Sequence, residues 1–114
     1  MNERRRVPRY SAHLNGSIKL PRENKAFAVV VEDLCILGCM LESGPPLEIH
    51  QECEFAMTWK GREFRTAVMV AWKSEQGQVG LEFLNTTPAK LQMLREICSD
   101  FIIKPLARQA KDLP

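Results

Sequence analysis

A chain of 114 residues, of which 45% are hydrophobic and 26% charged, has the size and composition of one globular domain with a modest core. It has no run of about 18 apolar residues and no apolar stretch after its basic N-terminal residues, so the sequence predicts neither membrane insertion nor a signal peptide and favours a cytoplasmic location. The first ten residues hold four arginines and one glutamate (+3), so a chain with a net charge of +2 carries −1 elsewhere. One basic cluster on a neutral body favours a compact anionic ligand and argues against a nucleic-acid polymer as the partner.

Residues 1–9 are predicted to form a flexible, arginine-rich N-terminal arm. Pro8 has no backbone N–H and restricts Val7 to extended conformations, which disfavours a helix here. An arginine donates two parallel hydrogen bonds to a phosphate, and its flat guanidinium group stacks on nucleobases. Several arginines on a short arm therefore suit one compact nucleotide, although a solvated basic tail without a ligand has the same composition.

From residue 10 to residue 83 the apolar side chains recur at alternate positions, which is typical of strands with one buried face. Turn-forming residues separate these segments, and Lys60-Gly61 suits a two-residue hairpin turn. The predicted strands cover residues 10–20, 27–31 (running on to Asp33), 38–42, 53–59, 64–72 and 79–83. The alternation also places four aromatic side chains in the core, namely Phe55, Trp59, Trp72 and Phe83.

The period then changes to that of a helix. Thr87 is a suitable N-cap, Pro88 is a suitable first helical residue, and apolar residues recur three or four positions apart as far as Ile102. Pro105 is expected to end the helix. The sequence thus predicts a mainly β fold over residues 10–103, a six-stranded antiparallel barrel with a C-terminal α-helix, followed by a frayed tail at 104–114.

The cysteines and histidines do not form a recognisable metal or catalytic site. Without a secretion signal the four cysteines, Cys35, Cys39, Cys53 and Cys98, are expected to be reduced thiols, and the last two lie in apolar patterns that favour burial. Their spacing does not match a zinc site, and both histidines are isolated. No nucleophile–base arrangement and no phosphate-binding glycine loop is present, so we expect no metal, no cofactor and no enzymatic activity.

Two short motifs carry a resemblance to a known family. Residues 5–9 read RxxxR, and residues 33–38, where one predicted strand gives way to the next, read DxCxxG. Together with the strand at 79–83 and the helix that follows, they resemble the PilZ domain family of bacterial receptors for cyclic di-GMP. The resemblance spans roughly residues 3–103, and the order and spacing of the motifs make it more specific than either motif alone.

The resemblance implies roles for particular residues. Arg5 and Arg9 would bind the phosphates of cyclic di-GMP and contact a guanine, and Asp33 would accept hydrogen bonds from the other guanine. Gly38 would keep the turn open to the ligand. An arginine at the position of Arg4 tends, in this family, to accompany two intercalated ligand molecules. Arg6 is expected to face solvent.

Cys35 departs from the family pattern, which has serine there. A thiol is a weak hydrogen-bond donor and acceptor, and loss of one ligand hydrogen bond would cost about 0.5–1.5 kcal/mol, roughly a tenfold change in affinity. Ile36 and Leu37 are also unusually apolar for a ligand-facing turn. Two hypotheses stay open: a cyclic di-GMP receptor whose arm orders over the barrel and signals to an effector protein, and a PilZ-fold adaptor that binds only proteins. Either would be a monomer or a weak homodimer.

Overall fold

The computed structural model describes residues 7–103. The predictions for Arg4, Arg5 and Arg6, and for the tail at 104–114, concern residues outside this range. Within it the chain forms, in order, β1 (Tyr10–Lys19), β2 (Ala26–Leu34), β3 (Gly38–Leu41), β4 (Glu52–Trp59), β5 (Arg62–Lys73), β6 (Val79–Phe83), α1 (Pro88–Cys98) and β7 (Ile102–Ile103).

Six antiparallel strands close into a barrel, as predicted. The strand order is β2-β3-β6-β5-β4-β1, and β1 closes the barrel by pairing with β2 as well as with β4. The hairpin between β4 and β5 turns at Lys60 and Gly61, whose φ angles of 51° and 76° are those of the predicted two-residue turn. A barrel whose strands all have neighbours leaves few unpaired backbone groups, which suits short strands.

The barrel interior holds the core. Phe55 and Phe64 are fully buried and both pack against Phe83, with ring centroids 6.1 and 5.5 Å apart. Burial of each such side chain contributes about 1.5–3 kcal/mol to folding. The prediction that Phe55 and Phe83 belong to the core is confirmed, and Trp59 packs partly buried against its edge.

The prediction that Trp72 lies in the core is wrong. Its side chain is 37% exposed because β5 is irregular there: Val70 pairs with Leu81, but Trp72 pairs with Gly80. The extra residue in β5 shifts the alternation by one position and turns the indole outward. The indole lies directly over Gly80, where an added Cβ would collide with it.

The start of the helix follows the prediction, and its end does not. Thr87 caps α1 by accepting a hydrogen bond from the Lys90 N–H, and Pro88 is the first helical residue. The helix ends at Cys98 rather than continuing to Ile102. Ile102 is 80% exposed and joins β7, which pairs with Tyr10 and Ser11. Pro105, which was expected to end the helix, lies outside the described residues. No helix within residues 7–103 has the length and apolar character needed to span a bilayer.

Hydrogen bonds and ion pairs connect the C-terminal end of α1 to the β4–β5 hairpin. Trp59 Nε1 donates to Asp100 Oδ2 over 2.6 Å, and Lys60 Nζ lies 3.1 Å from the same oxygen. Arg62 and Glu96 form a second link of 3.2 Å. The hydrogen bond from Trp59, followed by that from Lys60, lowers the pKa of Asp100 below its usual value. These contacts fix the position of the helix end relative to the barrel.

Replacement of Asp100 by asparagine is expected to lower the melting temperature at neutral pH. Because the folded pKa lies below the unfolded one, the contribution of Asp100 is complete above the unfolded pKa and is lost as pH falls through the folded pKa. The difference between wild type and Asp100→Asn should therefore be constant above about pH 5 and shrink below about pH 4. Thermal unfolding from pH 7 to pH 2 measures this difference in melting temperature. Glu75→Gln, a change in the exposed β5–β6 turn, is the control. A difference that does not depend on pH would contradict the assignment.

Candidate functional site

The structure brings the second arginine of the RxxxR motif to the aspartate of the DxCxxG motif. Arg9 Nη2 lies 2.9 Å from Asp33 Oδ2. Arg9 directly precedes β1, and Asp33 lies in β2, where it pairs with Ser11 of β1. The antiparallel pairing of β1 with β2 therefore places two residues together that are 24 positions apart in sequence.

The two members of this ion pair differ in their exposure. The side chain of Asp33 is only 7% exposed, whereas that of Arg9 is 45% exposed. A guanidinium group has five N–H donors, so a contact through Nη2 leaves donors of Arg9 available at the surface. A largely buried carboxylate beside a half-exposed guanidinium is suited to a ligand that carries both hydrogen-bond donors and an anionic group.

Cys35 holds the turn that follows Asp33. Its Sγ accepts a hydrogen bond from the Leu37 N–H at 3.4 Å, and its N–H donates to the Gly38 carbonyl at 2.9 Å. A serine or threonine oxygen accepts from the residue two positions on in the same way in many turns. The thiol therefore takes the place of a hydroxyl in the local structure of the turn, as a weaker acceptor.

Gly38 is needed for the contact between two strands. It is buried in β3 opposite Glu82 of β6, and an added Cβ would collide with the Leu81 carbonyl oxygen. The Phe83 N–H donates to the Leu37 carbonyl at 2.9 Å and fastens the turn to β6. Close packing of β3 against β6 thus explains why position 38 requires a glycine. Its role toward a ligand stays a prediction.

The two apolar residues of the turn behave differently. Ile36 is partly buried against the core, whereas Leu37 is 41% exposed. Arg4 and Arg5, the remaining predicted ligand-binding residues, lie outside the described range. Of the six predicted site residues, the structure therefore places Arg9, Asp33, Cys35 and Gly38, and it gathers them around the start of β1 and the turn between β2 and β3.

The cysteines are free thiols, and three of them are buried. The prediction that Cys53 and Cys98 act as small buried hydrophobic residues is confirmed, since they are 5% and 3% exposed. Burial raises the pKa of both thiols to about 11, and it raises the pKa of Cys39 as well. These three thiols are therefore poor nucleophiles at neutral pH.

A cavity of about 240 Å³ adjoins the site. No local sequence pattern predicts this cavity, because part of its wall comes from the end of α1, whose apolar spacing indicates only packing against the barrel. It is lined by Val7, Pro8, Tyr10, Ile36, Arg95, Cys98 and Ser99. A larger cavity of about 340 Å³, lined in part by Lys19, Glu52 and Cys53, contains none of the predicted site residues.

Comparison with known proteins identifies the fold. The PilZ domain of CeSA from a cellulose-synthesizing bacterium is 13% identical, with a TM-score of 0.68 over 81% of this chain and 95% of that chain. The PilZ domain of YcgR from Escherichia coli, solved with cyclic di-GMP, is 18% identical, with a TM-score of 0.72 over 96% of this chain and 95% of that chain. A longer Escherichia coli YcgR chain, in complex with cyclic di-GMP, is 22% identical, with a TM-score of 0.74. The match spans 96% of this chain and 48% of that chain. No curated protein matches the sequence significantly.

The family match covers all six barrel strands and both motifs. The model of the PilZ domain family matches residues 3–100, which include RxxxR, DxCxxG, the six barrel strands and α1. The structural neighbours, at 13% to 22% identity, share the fold. This chain belongs to the PilZ domain family.

Proposed function

We propose that this protein is a cytoplasmic, non-enzymatic receptor for cyclic di-GMP. The observation that carries the proposal is the 2.9 Å contact between Arg9 and Asp33, one residue from each motif. Two further facts support it: the chain is a PilZ domain, and YcgR, whose PilZ domain has the same fold, has been solved with this nucleotide.

In the proposed complex the two groups of the ion pair take different parts of the ligand. Arg9, together with Arg5, binds the phosphates through the paired N–H donors of its guanidinium group. Asp33 accepts hydrogen bonds from the N–H groups of a guanine, as acidic side chains do with base amino groups. Arg9 also compensates the charge of the buried Asp33 carboxylate, and this ion pair holds the two groups side by side.

Binding is proposed to order the arm over the barrel. Ordering of a flexible segment opposes binding, so the phosphate and stacking contacts must exceed that free-energy cost. The ordered arm and the exposed side of the ligand then form a surface for an effector protein. Arg4, directly before the motif, is proposed to support a second, intercalated ligand molecule.

An alternative is a PilZ-fold adaptor that binds a protein and not the nucleotide. It is favoured by the exposed Leu37 in the DxCxxG turn and by Cys35 in place of serine. A folded protein that ignores the nucleotide but retains a specific partner in pull-down would support this alternative.

Calorimetric titration of the purified protein with cyclic di-GMP, with GTP as control, tests the proposed receptor. Saturable heat with the cyclic dinucleotide alone is expected, and the stoichiometry distinguishes one ligand from an intercalated pair. Absence of both heat and thermal stabilisation, from a protein shown to be folded by circular dichroism, would reject the receptor and favour the adaptor.

Replacement of Cys35 by serine is expected to strengthen cyclic di-GMP binding by up to about tenfold, since a hydroxyl is the better hydrogen-bonding group and a net hydrogen bond contributes about 0.5–1.5 kcal/mol. The turn should be retained, because a serine oxygen can accept from the Leu37 N–H as the thiol does. Titrations of wild type, Cys35→Ser and Cys35→Ala measure the effect. Weaker binding by the serine variant than by wild type would contradict this prediction.

A further inference from the structure

The cavity of about 240 Å³ is formed by three separate parts of the chain. Val7 and Pro8 come from the arm, Ile36 comes from the DxCxxG turn, and Arg95 and Ser99 come from the end of α1. It is smaller than the cavities of about 300–1,000 Å³ that hold whole drug-sized ligands. A cavity of this size suits one part of a larger ligand, such as a single base.

The residues that line this cavity favour a flat aromatic group as its occupant. Pro8, Tyr10 and Ile36 offer apolar surface, and Arg95 is the lining residue with a charged side chain. Guanidinium groups and aromatic side chains are the usual stacking partners of unpaired bases. A cavity lined mainly by apolar groups together with one guanidinium therefore fits a purine better than a bare phosphate.

Arg95 is available for such a contact. It lies exposed in the last turn of α1, and no carboxylate pairs with it among residues 7–103. The adjacent Glu96 is already engaged by Arg62 at 3.2 Å. By contrast, Arg9, Arg62 and Arg65 each form an ion pair. The links from Trp59 and Lys60 to Asp100 hold this end of the helix in place.

We propose that this cavity is a base-binding subsite and that Arg95 stacks its guanidinium group on a guanine of cyclic di-GMP. The inference rests on the proposed receptor function and extends it, because it adds the C-terminal helix to a site that the two motifs place on the arm and the barrel. The base bound here is distinct from the one that Asp33 contacts.

Calorimetric titration with cyclic di-GMP of wild type, Arg95→Ala, Arg95→Lys and Arg22→Ala tests the subsite. Because it removes the stacking contact, Arg95→Ala should weaken binding at least about fivefold. Arg95→Lys should also weaken it, because a lysine keeps the charge but lacks the planar group. Arg22→Ala removes an exposed arginine in the β1–β2 turn, outside the cavity, and should bind as wild type does. When the titrations are repeated at about 0.5 M salt, Arg95→Ala should still bind more weakly than wild type, because salt screens stacking less than it screens a charge contact.

The outcomes separate this inference from the proposed function. If wild type binds, Arg9→Ala does not, and Arg95→Ala stays within about twofold of wild type, the subsite is wrong and the receptor stands. Full affinity in Arg95→Lys, or a loss that disappears at high salt, would also overturn stacking. If wild type itself gives no heat, the receptor and the subsite both fail. Thermal unfolding of each variant shows whether a loss of binding reflects a loss of fold.

Discussion

Replacement of Arg9 by alanine is expected to weaken cyclic di-GMP binding about 10- to 100-fold. Hydrogen bonds to charged groups contribute about 1.5–3 kcal/mol, and the guanidinium of Arg9 is proposed to make such bonds to a phosphate. The side chain is half exposed and lies beside the buried carboxylate of Asp33, the first residue of the DxCxxG motif. Arg5→Ala is expected to have a similar effect. Calorimetric titration measures both.

Two control variants make this result interpretable. Arg65→Ala removes a similarly exposed arginine that pairs with Glu54 and Glu63 on the barrel surface, and it should bind as wild type does. Arg9→Lys retains a cation beside Asp33 but lacks the planar fork, so it should preserve the fold and still bind more weakly than wild type. Wild-type affinity in both Arg5→Ala and Arg9→Ala would reject the receptor assignment.

Replacement of Gly38 by valine is expected to destabilise the fold by about 1–3 kcal/mol or more. The residue is buried in β3, and any Cβ would collide with the Leu81 carbonyl oxygen of β6, a backbone atom that can move only if the strands separate. Overfilling of a closed barrel therefore disturbs the β3–β6 pairing. Denaturant unfolding at equilibrium, followed by circular dichroism, measures the loss.

Gly44→Ala is the matched control for this prediction. An added Cβ there lies 3.3 Å from a methyl group of Val79, and the residue is exposed, so the side chain can yield. This change should alter stability by less than about 0.5 kcal/mol. If Gly38→Val proved as stable as Gly44→Ala, the packing explanation would be wrong. If Gly38→Val is destabilised as expected, its loss of ligand binding cannot be assigned to a ligand contact.

These two predictions divide the motif residues by their physical roles. Arg9 is half exposed and is expected to affect binding as well as stability, because it also pairs with the buried Asp33 carboxylate, whereas Gly38 is buried and is expected to affect stability first. Cys35 is expected to belong to both groups, because its Sγ supports the turn and the family resemblance implies a serine at its position. The residues of the two motifs are therefore expected to differ in whether their replacement affects binding or stability first.

The elements that the sequence predicted correctly are those with a local physical cause. Alternating burial within each strand follows from the two-residue period of the backbone, and the Lys60-Gly61 turn follows from the backbone angles that a two-residue hairpin requires. Thr87 and Pro88 marked the start of α1 through capping chemistry that depends on neighbouring residues alone. The RxxxR and DxCxxG motifs likewise identified the family from residue types and spacing.

Tertiary structure decided what depends on neighbours distant in sequence. The irregular pairing of β5 with β6 turned Trp72 outward, and pairing with β1 made Ile102 part of a strand although its spacing matched the helix. The closure of β1 onto β2 brought Arg9 to Asp33, and the packing of α1 brought Arg95 beside the arm and Ile36. Strand register and barrel closure are set by the sum of many weak contacts from all strands, so no local pattern contains them. The sequence alone thus determined the strands, the helix start and the chemistry of the motifs, while only the closed barrel determined which of those side chains lie next to one another.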